Sequence, residues 1–284
     1  MIPLINIADA EVTITRIGFG CGRLYGGSEL KASARVIEAA LAAGVKHFDT
    51  APSYGCGDSE SVLGELLAGV PDVTITSKIG IPRPHTSDGR RPLRIAYRKL
   101  VRPILSHFPD LKSRLLQIAT KKGKAVTREV VRRKLSYDEV QKGLEDSLKR
   151  LKRSFLDLYL LHEPDEFLVT DELVNVFQNL QRDRVIGGFG LAFGRVANAS
   201  PDFGTVIQCC YREDLPTRSI GGHTRIFHGV LRHSWRDVRA QKQYVRPAQY
   251  LNKVLETHPD AGIVFSASSP GQVRRAVGDL LTGK

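Results

Sequence analysis

Short apolar runs alternate along this chain with longer stretches in which apolar positions recur every three or four residues. The short runs predict buried strands at about 16–20, 45–49, 73–78, 156–162, 185–191, 204–210, 224–230 and 262–266, and the longer stretches predict helices at about 32–43, 59–68, 136–151, 171–183, 237–257 and 270–281. Eight strands interleaved with helices predict an α/β protein, a (β/α)8 TIM barrel, and 284 residues suit one such domain spanning 1–284. Ser136 followed three residues later by Glu139 marks one helix start, and Ser269-Pro270 marks another. The stretches 194–203 and 212–222 are short and rich in Gly, Pro and Ser, so the fifth and sixth helices are expected to be weak, as loops or single turns.

One segment departs from this alternation. Ile81 to Lys134 carries sixteen Lys or Arg against Asp88, Asp110 and Glu129, a net +13 in a chain whose total is +12, so the remainder is close to neutral at −1. It opens with Pro82-Arg83-Pro84-His85 and Gly89-Arg90-Arg91-Pro92 and continues through Leu100, Ile104, Leu105, Leu111, Leu115, Leu116 and Ile118. This composition predicts a long basic insertion, 81–134, with some helix, after the third strand. Leaving the barrel where a site opens, it is expected to cover the substrate or to form a subunit contact, and as a lid it would favour anionic ligands. The bland alternative is a solvated basic loop. Beyond Tyr97 and Phe108 it lacks interleaved aromatics, so no nucleic-acid partner is expected.

The remaining composition narrows the class. Apolar residues at 42% and charged residues at 25% are ordinary for a soluble globular protein, and no stretch approaches a membrane span. Ile2 to Val12 lacks the basic start and continuous apolar stretch of a signal peptide. Cys21, Cys56, Cys209 and Cys210 show no metal spacing, and the neighbours Cys209 and Cys210 do not suit an ordinary disulfide, so a cytoplasmic location and no metal are expected. The oligomeric state is left open.

Asp49, Tyr54, Lys78 and His162 each stand just past a predicted strand, and side chains at the carboxyl ends of parallel barrel strands converge. A phenol with a reference pKa of about 10 is a poor proton donor at neutral pH unless its phenolate is stabilised, which a nearby ammonium does. Lys78 would stabilise Tyr54, Asp49 would pair with Lys78, and His162 would orient a substrate oxygen or share its proton. The set describes a site that protonates an oxygen on which negative charge develops, as when hydride adds to a carbonyl. Taken singly, each residue has a bland reading as a surface ion pair, a core tyrosine or a satisfied polar group.

The phrases Phe48-Asp49-Thr50-Ala51-Pro52-Ser53-Tyr54-Gly55, Ser59-Glu60-Ser61-Val62-Leu63-Gly64, Thr76-Ser77-Lys78-Ile79-Gly80, Ser147-Leu148-Lys149-Arg150-Leu151 and Asp157-Leu158-Tyr159-Leu160-Leu161-His162 resemble the aldo-keto reductase family, in family order. The resemblance implies a catalytic tetrad of Asp49, Tyr54, Lys78 and His162, with Tyr54 as acid/base. It also implies an NAD(P)-dependent oxidoreductase acting on a carbonyl, aldehyde or sugar lactol. Leu135-Ser136-Tyr137-Asp138-Glu139-Val140 and His162-Glu163-Pro164-Asp165 lean towards the aldose, galactose or fucose dehydrogenase branch.

Neither Gly18-Phe19-Gly20-Cys21-Gly22-Arg23 nor Gly187-Gly188-Phe189-Gly190 has the spacing of a Rossmann fingerprint. A barrel instead tends to hold phosphate on loops after its last strands, and Ser266-Ala267-Ser268-Ser269-Pro270 offers hydroxyls and backbone donors there, with a plain helix cap as the bland reading. By resemblance, Gln208 would hold the nicotinamide carboxamide, Phe227 stands near the aromatic that stacks on the nicotinamide, and Ser266, Ser268, Gln272 and Arg274 fall in the adenosine-phosphate loop. The chain departs from the family where Ala192 and Phe193 replace serine and asparagine, and where Ser266 and Gln272 replace Lys and Arg, although Arg274 and Arg275 lie close. NADP is the expected cofactor, with NAD as the rival and a narrowed preference between them. The other reading is a barrel whose cofactor site has drifted, leaving a binding or regulatory protein.

Overall fold

The computed structural model describes residues 2–7, 10–84, 135–164, 169–194, 203–215, 222–232 and 246–278. Strands β3 (Ile17–Gly20), β4 (His47–Asp49), β5 (Thr74–Ile79), β6 (Leu156–His162), β7 (Ile186–Ala192), β8 (Val206–Cys210), β9 (Thr224–His228) and β10 (Ala261–Phe265) pair in parallel and close into a barrel when β10 meets β3. Around them lie α1 (Leu30–Ala42), α2 (Ser59–Leu66), α3 (Tyr137–Leu151), α4 (Asp171–Arg182), α5 (Pro247–Thr257) and α6 (Pro270–Val277). The (β/α)8 expectation holds. No helix among the described residues falls between β7 and β8 or between β8 and β9.

The helix starts follow from their caps. Ser136 accepts from the Glu139 backbone N–H while Glu139 reaches back to the Ser136 N–H, a reciprocal box that satisfies two donors the first turn would otherwise leave open. Ser269 caps α6 through the Gln272 N–H, with Pro270 at the first helical position. The helix expected over 237–257 is observed as Pro247–Thr257, and 237–245 lies outside the described residues.

Two apolar layers hold the barrel. The outer layer joins strands to helices and includes a ring cluster in which Phe177 of α4 packs on Tyr159 at 5.6 Å, Phe189 at 5.5 Å and Phe203 at 5.0 Å. The inner layer fills the barrel with Leu158, Leu160, Ala192, Val206, Ile226 and Val264. Ile7, Val12 and Ile14 join this inner layer from a hairpin of β1 (Leu4–Asn6) and β2 (Thr13–Thr15), which covers the amino-terminal end of the barrel. The hairpin was not expected from the sequence.

A buried ion pair clamps α2 to β5 and α3. Glu60 is 1% exposed, and its carboxylate accepts from Ser77 Oγ at 2.6 Å and from Arg150 Nε at 2.7 Å. A Cβ at Gly64 would stand 2.2 Å from the Arg150 carbonyl oxygen, so α2 and α3 approach each other only because residue 64 is glycine.

Candidate active site

Asp49 ends β4, Lys78 is the last but one residue of β5, and His162 ends β6. Alternation along each strand turns all three side chains to the inside of the barrel at its carboxyl end. Tyr54 arrives on the turn Tyr54–Gly57, whose backbone bends through Gly55 (φ 57°) and Cys56 (φ 60°). A Cβ at Gly55 would stand 1.8 Å from the Leu24 carbonyl oxygen, so the tight path that delivers Tyr54 requires that glycine.

The four groups meet. Lys78 Nζ donates to Asp49 Oδ2 at 2.5 Å and to the Thr50 carbonyl at 2.9 Å, and lies 4.9 Å from the centre of the Tyr54 ring. The His162 ring meets the Tyr54 ring edge to face at 5.7 Å. Lys78 and Asp49 are 1% and 4% exposed, so this is a desolvated charge pair whose members each require the other.

Burial pulls the Lys78 ammonium down, but Asp49 and Tyr54 together outweigh it and hold its pKa above the ordinary lysine value. Burial pushes the Tyr54 phenol up, the Lys78 ammonium opposes this, and Asp49 and Glu163 add to the rise. The net direction for Tyr54 is upward. The sequence reading expected Lys78 to depress the phenol, and Lys78 does so only relative to where desolvation alone would put it. The resting site therefore holds a protonated phenol beside a protonated amine, a proton donor ready for an oxygen that gains charge.

Gln208 on β8 reaches the same cluster, donating through Nε2 to Asp49 Oδ2 at 2.7 Å. Ala192 is buried in the barrel interior, and Phe193 contributes only its backbone, donating to the Gln208 carbonyl and accepting from His228 Nε2 at 2.8 Å. Neither side chain can hydrogen-bond a carboxamide.

Phe227 requires a correction. It is fully buried outside the barrel, with Tyr211 at 5.5 Å and His258 at 4.9 Å, and is not at the barrel mouth. In β9 it is Ile226 and His228 that point inward, and His228 feels the charges of both Asp49 and Lys78. Counting alternate positions along β9 would have found His228, whereas matching aromatic to aromatic found Phe227. Burial holds His228 below the ordinary histidine value, so at neutral pH it is an uncharged ring at the mouth.

The loop after β10 is tied to the loop after β3. Ser266 Oγ donates to the Gly20 carbonyl at 3.0 Å, and Arg23 Nη1 donates to Ser268 Oγ at 3.0 Å. Gln272 Oε1 accepts from the Ser268 N–H at 2.6 Å. Arg274 lies exposed on the next turn of α6. Of the insertion, 85–134 lies outside the described residues; at its start, Arg83 Nε donates to the Gly57 carbonyl at 2.7 Å, so the segment departs along the turn that carries Tyr54. Among the described residues no three His, Cys, Asp or Glu side chains are grouped to hold a metal, and no helix is long and apolar enough to cross a membrane.

The aldo/keto reductase family matches residues 16–200. The chain is similar to the aldo-keto reductase YhdN of Bacillus subtilis, 27% identical over 66% of this chain and 46% of that protein. It is also similar to a D-threo-aldose 1-dehydrogenase from a Pseudomonas species, 28% identical over 63% of this chain and 49% of that protein. The matched region thus spans about half the length of these relatives. A solved aldo-keto reductase of Klebsiella pneumoniae in complex with NADPH superposes with a TM-score of 0.61 at 17% identity, covering 99% of this chain and 90% of that one. The barrel is closed and parallel, with Asp49, Lys78 and Tyr54 joined at its carboxyl face. The chain belongs to the aldo/keto reductase family.

Proposed function

We propose that this protein is an NAD(P)-dependent oxidoreductase that interconverts a small carbonyl compound, an aldehyde or a sugar lactol with its hydride-exchanged partner, with Tyr54 as acid and base. The observation that carries the reading is Lys78, joined to Asp49 at 2.5 Å and seated 4.9 Å from the Tyr54 ring. Family membership and the aldose dehydrogenase among the relatives support it.

A bound nicotinamide supplies or accepts the hydride. The donor set fits such a group: Gln208 would hold the carboxamide, and Ser266, Ser268, Gln272 and Arg274 would meet the adenosine end. NADP is the first candidate because the Klebsiella neighbour holds NADPH, and NAD is the second. Tyr54 donates its phenol proton to the carbonyl oxygen as that oxygen gains negative charge, and the Lys78 ammonium stabilises the phenolate left behind. Asp49 keeps Lys78 charged and aimed, and His162, packed on the Tyr54 ring, steers the substrate oxygen. In oxidation Tyr54 takes the hydroxyl proton back. General acid assistance of this kind contributes about 10²–10⁴ in rate.

Titrating the protein with NADPH while following nicotinamide fluorescence tests the reading, with aldehyde-dependent oxidation as the second measurement. Binding with turnover supports it. No binding would favour the other reading, a barrel whose nicotinamide site has drifted, for which Ala192 and Phe193 are the supporting observation.

A further inference from the structure

The turn that delivers Tyr54 stands in a conformation that one of its residues does not favour. Gly55, Cys56 and Gly57 are left-handed in succession, at φ 57°, 60° and 97°. The two glycines take such angles freely, whereas Cys56 crowds its Cβ against the following carbonyl, a cost that persists only where surrounding contacts over-determine the backbone. Backbone bonds hold the turn slackly. Gly55 donates to the Gly22 carbonyl at 3.3 Å and Asp58 donates to the Gly55 carbonyl at 3.3 Å, both longer than the ~2.9–3.0 Å of a typical N–H···O bond.

A short bond comes from the segment after β5. Arg83 Nε donates to the Gly57 carbonyl at 2.7 Å, and a Cβ at residue 57 would stand 3.2 Å from both Cγ and Nε of that arginine, so the side chain lies across the bare face of the glycine. Its donor is charged, which makes this bond stronger than the two neutral ones. Arg83 stands between Pro82 and Pro84, whose rings fix their own φ and keep the residue before Pro84 out of the helical region, so the side chain projects from a stiff base. Arg83 is exposed and adds nothing to the apolar layers. What its bond fixes is the turn, and at the turn's first position stands Tyr54, its ring 4.9 Å from Lys78 Nζ and edge to face with His162 at 5.7 Å.

We propose that Arg83 is a positioning residue for the proton transfer: clamped on Gly57, it holds the left-handed turn in the form that keeps Tyr54 against Lys78 and His162. The inference rests on the role of Tyr54 proposed above. A turn released from Arg83 relaxes at Cys56 and carries the phenol away from the reacting oxygen, and a displacement of about 1 Å costs about 10²-fold in rate. The cofactor contacts proposed on β8 and after β10 lie on other loops and keep their places.

The test compares the full wild-type chain with Arg83→Met, which keeps the stem and loses the donor, and with Arg83→Lys, which keeps a charged donor. Hydrogen exchange of the peptide carrying residues 54–58, followed by mass spectrometry in the unliganded chain, reads the clamp. Single-turnover hydride transfer from NADPH to an aldehyde, beside NADPH affinity and binding capacity, reads its consequence. In Arg83→Met the peptide is expected to exchange about tenfold faster while β5 and β6 exchange as before, and hydride transfer to slow about tenfold or more with NADPH affinity within about twofold. Arg83→Lys is expected to recover most of both losses. Unaltered exchange in Arg83→Met overturns the clamp, and faster exchange with wild-type hydride transfer overturns the positioning role. A fall in transfer matched by an equal fall in NADPH binding capacity is loss of folded protein and overturns it too. In each of these cases a wild type that turns over leaves the proposed function standing, whereas a wild type that neither binds NADPH nor oxidises it ends both.

Discussion

Gln208 and Lys78 donate to the same oxygen of Asp49, Gln208 at 2.7 Å from β8 and Lys78 at 2.5 Å from β5. The carboxylate that orients the lysine is thus itself held from the far side of the barrel, by the residue proposed to meet the carboxamide. A cofactor that recruits the Gln208 amide draws on a bond already made, so its net gain there is small.

Replacing Gln208 with Ala is therefore expected to act more on the resting protein than on cofactor affinity. A hydrogen bond to a charged group contributes about 1.5–3 kcal/mol, and chemical denaturation of the unliganded variant should show a loss of that order. NADPH affinity is expected to fall by less than about tenfold. A variant as stable as its parent would show that Asp49 does not depend on this donor.

Tyr54→Phe removes only the proton donor. Turnover is expected to drop by about 10²–10⁴ or more while NADPH affinity stays within about threefold. Lys78→Met should inactivate as well, because it removes the one group that opposes the rise of the phenol pKa. Since Tyr54 and Lys78 both lie above their ordinary values, kcat/KM for reduction should show no fall caused by either group below about pH 10. A parent-like rate in Tyr54→Phe would remove the tyrosine from the chemistry.

Arg150→Met leaves the Glu60 carboxylate buried and without its cation. Breaking one side of such a pair costs about 3–5 kcal/mol, whereas the double variant Glu60→Gln with Arg150→Met should recover much of that loss. Urea unfolding of the three variants measures the cycle, and a single variant no less stable than the double would contradict the coupling.

His47 lies directly below Asp49 in the barrel, fully buried, with Nδ1 2.9 Å from Thr74 Oγ1 and Nε2 3.2 Å from Thr76 Oγ1. Burial holds its pKa down at about 4, against 6.5 for an ordinary histidine. The unfolded chain thus binds a proton near pH 6.5 that the folded chain refuses until about pH 4. Stability from this residue is complete above pH 6.5 and is lost as pH falls through that window, by about 3 kcal/mol in all. Thermal unfolding between pH 7 and 4 should show this slope in the wild type and a shallower one in His47→Asn.

That Asp49, Tyr54, Lys78 and His162 would meet was legible because each follows a recognisable strand, and a barrel has only one end where such positions can meet. Gln208 was read as a cofactor contact, but its bond to Asp49 was not foreseen, because it joins residues 159 positions apart and exists only once β8 and β4 face each other across a closed barrel. Phe227 was misread because chemical likeness was allowed to outrank the two-residue period of β9. The roles of Arg23 and Arg83 depend on loop paths, which local pattern does not encode.

The hairpin of β1 and β2 gives the barrel a floor. With Ile7, Val12 and Ile14 packed beneath Leu158, Ile226 and Val264, the interior is a cup rather than a tube, and traffic to Tyr54 passes over the rim. Under the proposed function cofactor and substrate would share that one doorway, so the one seated deeper would enter first and leave last.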